Sequence, residues 1–94
     1  MSPAKAKSIF DFEGLRKRLG FNQPEMAGKM HMSPRTYFSL ESDPTAISQR
    51  HILIAQMVSL KEARERNDRS LADADALKIA DEVSRIGKSK TKII

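Results

Sequence analysis

The chain has 94 residues, 17 Lys plus Arg against 12 Asp plus Glu for a net charge of +5, and no cysteine. This length suits one small domain and leaves little room for a deep catalytic cleft beside a packed core. The lack of cysteine excludes disulfide scaffolds, thiol nucleophiles, zinc fingers and iron–sulfur centres, while the basic balance suits an anionic partner.

Aromatics make up 5% of the chain, with four Gly and four Pro, so extended β structure has little support, and the caps and apolar stripes below predict an all-α fold of about five helices. The longest central run without charge or proline covers residues 52–60. It falls far short of the roughly 20 residues that span a bilayer. The opening stretch Met1-Ser2-Pro3-Ala4-Lys5 has no apolar segment of the signal-peptide kind, so a cytoplasmic protein without membrane contact is expected. His31 and His51 stand in no metal-ligand spacing. No Gly-rich phosphate loop and no carboxylate pair beside a histidine occurs. Neither an enzyme nor a cofactor or metal is expected.

Residues 1–7 read as a flexible basic arm. A first helix is expected after Ser8, with Ser8 and Asp11 in capping-box spacing. Phe12, Leu15 and Leu19 form its apolar stripe, Arg16, Lys17 and Arg18 fall on the solvent side, and Gly20 stops it. A second helix is expected over 23–30. Asn22 is its N-cap, Glu25 completes a capping box, Phe21 and Met26 form a staple, and Met26, Ala27 and Met30 face inward. A third follows Ser33 as N-cap and Pro34 as first helical residue, with Met32 and Tyr37 as a second staple. Tyr37 and Leu40 point inward, Arg35, Phe38, Ser39 and Ser42 point outward, and Asp43-Pro44 breaks the helix.

The fourth helix should run from Ser48 to about Asn67. Its middle, 52–58, is apolar almost all round and therefore buried on several faces; in so short a chain the second cover is a second copy. Lys61–Glu65, Glu62–Arg66 and Glu65–Arg69 read as i,i+4 pairs on a solvated face. A fifth helix is expected after Ser70 with Asp73 at its third position. It gathers Ala72, Ala76, Ile79, Ala80, Val83 and Ile86 into one arc and ends at Gly87. The expected organisation is therefore arm 1–7, main domain 8–67, C-terminal amphipathic helix 68–87 and basic tail 88–94. The tail is either disordered or a DNA contact.

Two short helices joined by a tight turn, the second outwardly polar, describe a helix-turn-helix over 22–42. The stretch from Leu15 to Met30, followed by Met32 to Glu41, resembles the Cro/repressor-type (XRE-like) regulators. The matching positions are a leading Gln23, acidic Glu25, apolar Met26, small Ala27, apolar Met30, inward Tyr37 and closing Leu40-Glu41. The likeness covers residues 12–42, and it departs from the pattern at His31, where the turn is usually a glycine.

That resemblance implies a lambda-repressor-like domain with Met26, Ala27, Met30, Tyr37 and Leu40 as the core of the motif and double-stranded DNA as the partner. Base reading would fall to Gln23, Pro34, Arg35, Thr36, Phe38 and Ser39. Arg35 is suited to guanine, and Phe38 either rests on a thymine methyl or packs on the fourth helix or on the partner copy. Phosphates would be held by Lys17, Arg18, Asn22, Lys29 and Ser33, by the N-terminus of the second helix, and by Lys5 and Lys7. Leu53, Met57, Leu60, Ile79 and Val83 are the candidate dimer interface. The expected function is a homodimeric repressor on a palindromic operator, with its own operon as the candidate target. Two alternatives stay open: an antitoxin whose residues 68–94 wrap a toxin, and a protein-binding antiactivator that no longer reads DNA.

Overall fold

The computed structural model describes residues 10–86. Five α-helices follow in chain order: α1 Phe12–Leu19, α2 Gln23–Lys29, α3 Pro34–Ser42, α4 Gln49–Arg66 and α5 Ala74–Arg85. Short 3-10 turns lie at Pro44–Ala46 and Arg69–Leu71, and there is no strand among the described residues. The fold is all-α, as the composition implied. The expected arm 1–7, the residue Ser8, the stop at Gly87 and the tail 88–94 lie outside the described residues.

Helix α1 starts later than expected, because Asp11 rather than Ser8 caps it. Asp11 Oδ1 accepts the Gly14 N–H at 2.9 Å, and a carboxylate there also complements the positive end of the helix dipole. Gly14 makes room for this cap: a Cβ at that position would lie 2.2 Å from Asp11 Oδ2. Gly20 ends the helix in the left-handed region at φ 80°, and Phe21 N–H closes the turn onto Arg16 O at 3.1 Å.

Helices α2 and α3 start where their caps dictate. Asn22 Oδ1 accepts the Glu25 N–H and Glu25 Oε1 accepts the Asn22 N–H, both at 2.8 Å. Ser33 Oγ accepts the Thr36 N–H at 3.1 Å ahead of Pro34. Helix α2 ends at Lys29, and Met30 is its C-cap rather than its last turn. The core then assembles from helical stripes: Phe12, Leu15 and Leu19 of α1, Met26 and Ala27 of α2, Met30, Tyr37 and Leu40, and Ala55 and Val58 of α4. Ala27 is wholly buried, so no larger side chain fits between the packed elements.

Helix α4 has the expected bounds. Ser48 and His51 form a reciprocal box in which His51 Nδ1 replaces the customary carboxylate and accepts the Ser48 N–H at 3.0 Å. Asn67 ends the helix in the left-handed region at φ 55°. Among the described residues one side of it is covered, burying Ala55, Val58, Ser59 and Glu62, while Leu53 and Met57 are more than half exposed.

Two expectations fail here. Glu62 does not lie on a solvated face; it is buried and accepts from Lys29 Nζ and Arg66 Nη2, each at 3.0 Å. Arg66 also donates to Leu19 O at 2.7 Å, and both cations sit 5.4 Å from the Phe21 ring centroid. This knot ties α2 and the α1–α2 turn to α4. Helix α5, for its part, starts at Ala74 with Asp73 as N-cap, not after Ser70. Two carboxylates compete for the backbone and split the segment: Asp68 Oδ1 takes the Ser70 N–H at 3.0 Å, and Asp73 Oδ2 takes the Ala76 N–H at 3.0 Å. Ser59 Oγ accepts the Asp73 N–H at 2.8 Å and draws the chain onto α4, with Leu71 and Ala72 buried beside it. Of the expected arc only Ala72 and Ala76 are buried; Ile79, Ala80, Val83 and Ile86 are exposed. No helix among the described residues is long and apolar enough to cross a membrane.

Candidate nucleic-acid interface

Helix α3 reads Pro-Arg-Thr-Tyr-Phe-Ser-Leu-Glu-Ser. Tyr37 and Leu40, three apart, are buried, which turns Pro34, Arg35, Thr36 and Phe38 to solvent with Ser39 partly covered. The hydroxyls lie along the helix itself. Ser33 Oγ donates to Thr36 Oγ1 at 2.9 Å, Ser39 Oγ to Arg35 O at 3.4 Å and Ser42 Oγ to Phe38 O at 3.0 Å. Arg35 makes no ion pair among the described residues. Phe38 is 54% exposed and so does not pack into the core or on α4. The one acid of α3, Glu41, is turned inward. What remains is a narrow face carrying one unpaired guanidinium, hydroxyls and an aromatic ring, with no negative charge.

The angle of that face is set by Glu41. Its carboxylate accepts from Arg16 Nε at 2.6 Å, Arg16 Nη2 at 3.1 Å and Gln23 Nε2 at 3.0 Å, and it receives the Tyr37 hydroxyl in a short bond. Arg16 Nη1 donates further to Phe21 O at 3.1 Å. One carboxylate thus joins α1, α2 and α3. Burial pushes the Glu41 carboxyl up, but hydrogen bonds from Arg16, Tyr37 and Gln23 outweigh it and hold the group below its ordinary 4.5. Burial, then the bond to Glu41, pushes the Tyr37 phenol up. The pair to Glu41 strengthens the hold of Arg16 on its proton. At neutral pH the hub is therefore a carboxylate held by a cation and a neutral phenol. Arg16, placed on the solvent side by periodicity, belongs to this hub.

Between α2 and α3 the turn keeps the geometry of the missing glycine. His31 sits at φ 60°, and Met32 N–H bonds back to Ala27 O at 3.0 Å.

Several assigned contacts change. Gln23 gives one amide N–H to Glu41 at 3.0 Å, leaving its second N–H and its carbonyl oxygen for a partner. Asn22 uses Oδ1 for its cap, which leaves its Nδ2 amide as the group able to donate to a phosphate. The N-terminus of α2 is a poor phosphate site: Pro24 has no N–H, Glu25 N–H is taken and the Glu25 carboxylate stands beside it. Lys29 faces Glu62 of α4. Arg18 lines a shallow depression with Phe10, Asp11 and Asp73 that includes no α3 residue. Lys17 pairs with Glu13 at 2.9 Å, but both are widely exposed, so the pair is weak and readily exchanged. Ser33 is exposed and caps α3.

Of the candidate dimer residues, Leu53, Met57, Ile79 and Val83 are each more than half exposed. Leu60 is partly covered and shares a depression with Leu77 of α5. No three His, Asp or Glu side chains among the described residues are grouped to hold a metal ion. No protein-family model matches the chain, and no curated protein or solved structure matches it.

Proposed function

We propose that the chain is a sequence-specific double-stranded DNA-binding regulator of the helix-turn-helix type, acting as a homodimeric cytoplasmic repressor. The observation that supports this most is the outer face of α3, which presents Arg35 without an ion-pair partner among the described residues and carries no acid because Glu41 is turned inward. A helix of this size fits a major groove about 12 Å wide. Arg35 donates two hydrogen bonds to guanine O6 and N7, Phe38 lies against a thymine methyl, and the hydroxyls of Thr36 and Ser39 exchange their helix bonds for base edges or phosphate. Lys17 exchanges Glu13 for phosphate. The Glu41 hub acts at one remove, by keeping α3 at a fixed angle to α1 and α2. Repression is then steric, by occupation of a palindromic operator that overlaps a promoter.

Arg35→Ala tests this at a selected operator. It should cost about 1–3 kcal/mol, roughly 5- to 150-fold in affinity, and relax the choice of base at one position. Binding should fall steeply with salt. Equal affinity of wild type and Arg35→Ala would contradict the assignment. A second reading, an antitoxin or other protein-binding module, draws on the exposed α5 stripe Ile79, Val83 and Ile86, which that reading assigns to a different protein.

A further inference from the structure

Helix α5 is 12 residues long, too short to be stable in water without packing. The described residues cover it at Asp73 and Ala76 and partly at Leu77. Ile79, Val83 and Ile86, at i, i+4 and i+7, form one stripe and are each more than half exposed. The adjoining helix α4 carries a second bare stripe, Leu53 and Met57. Part-buried bonds to Asp73 from Gln56 Nε2 at 3.0 Å and to Ser59 Oγ from the Asp73 N–H at 2.8 Å tie the start of α5 to α4, and the exposed Arg69–Asp81 pair at 2.7 Å adds a weak contact farther along.

The charges beside the two stripes are opposite in sign. At 100° per residue the charged positions within about 70° of the α4 stripe are Arg50, Lys61 and Arg64. Within the same arc of the α5 stripe they are Asp75 and Glu82. All five are exposed, and none is in an ion pair among the described residues. A face with an acidic border and a face with a basic border, both apolar at the centre, complement each other.

We infer that the two faces are the halves of one isologous interface: α5 of one copy docks on Leu53 and Met57 of a second copy, and the second copy returns the same contact. Asp75 and Glu82 of each copy then meet Arg50, Lys61 and Arg64 of the other. The five exposed apolar side chains amount to on the order of 500 Å² per copy, about as much as a monomer ordinarily leaves bare. Two such faces with their charged borders approach the roughly 1,200 Å² at which specific interfaces begin. The inference deepens the homodimer of the proposed function but needs no DNA, so its test leaves DNA out.

Charge exchange between two variants of the full chain tests the arrangement. One variant is Asp75→Asn with Glu82→Lys; Asp75 is neutralised only, since a cation in the first turn of α5 would oppose the helix dipole. The other is Lys61→Glu with Arg64→Gln; Arg64 is likewise neutralised only, since it lies in the last turn of α4. Far-UV circular dichroism verifies that each keeps wild-type helix content. In sedimentation equilibrium the wild type is a dimer, and each variant alone dimerises about tenfold or more weakly because both reciprocal contacts now set like charges together. An equimolar mixture recovers to within about threefold of wild type, because in the mixed dimer one contact is reversed on both sides and the other is native. A wild type that is monomeric at about 100 μM, well above the range of specific complexes, would overturn the inference and leave the stripes to a different protein. Variants that dimerise like wild type, or a mixture that does not recover, would overturn it in favour of another interface.

Discussion

Replacing Glu41 by alanine removes the acceptor on which three helices converge. The magnitude follows from burial. The Arg16 and Glu41 side chains are 13% and 7% exposed, so the guanidinium would be left in a largely dry site with only Phe21 O. The Tyr37 hydroxyl would keep only Phe12 O, at 3.4 Å. Breaking a buried pair from one side costs about 3–5 kcal/mol, and the carbonyl that Arg16 retains sets the expectation at the lower end, about 3 kcal/mol. A domain of this size is stable by roughly 5–14 kcal/mol, so a large share of its stability is at stake. Urea titration followed by far-UV circular dichroism should show a lower midpoint at unchanged slope, and Tm should fall by roughly 12–24 °C. A loss below about 1 kcal/mol would place the pair among solvated surface bridges and refute the hub as the element that fixes α3.

Acid should act through the same group. Glu41 and Glu62 both have carboxyls held below their ordinary 4.5 by their donors, so their stabilisation is full above that value and is lost as pH falls through the lower folded values. Acid unfolding monitored by circular dichroism should therefore set in below about pH 4.5, and Glu41→Ala should flatten that limb. Tyr37 titrates above its ordinary 10.0, so stability should also fall as pH rises past that value. His31→Gly should gain about 0.5–1 kcal/mol by relieving a left-handed residue, read as a higher urea midpoint. Gly28→Ala should gain a similar amount, about 0.5–1 kcal/mol of helix propensity, since a Cβ there meets no atom within 4 Å.

The helix ends that the sequence made legible are those written in local chemistry. Asn22 with Glu25, Ser33 before Pro34, Gly20, and Ser48 with Asn67 each satisfy backbone groups within a few residues, and the structure uses all of them. The start of α5 was not legible because Ser70 and Asp73 offer overlapping caps. The choice between them is made by Ser59, fourteen residues away from Asp73, and by the burial of Leu71. Glu62 reads as one charge among many, yet it lies four residues after Val58 and seven after Ala55, on the buried register; that spacing is the signal that marks it.

At the candidate site the outward set Arg35, Thr36, Phe38 and Ser39 follows from the burial of Tyr37 and Leu40, so helical periodicity was enough. The partners of Gln23, Arg16 and Lys29 come from other helices, with Glu41 eighteen residues beyond Gln23, and no local pattern announces them. Glu41 stood in the matched motif, but nothing in its spacing revealed that it gathers Arg16, Gln23 and Tyr37.

Selection of the purified chain against a pool of random duplexes at low salt bears most directly on the proposed DNA-reading role. Enrichment of an inverted repeat is expected, with half-sites about one helical turn apart and one guanine in each that loses its selection in Arg35→Ala. A pool that stays random, or enrichment that Arg35→Ala leaves unchanged, would contradict DNA reading by α3.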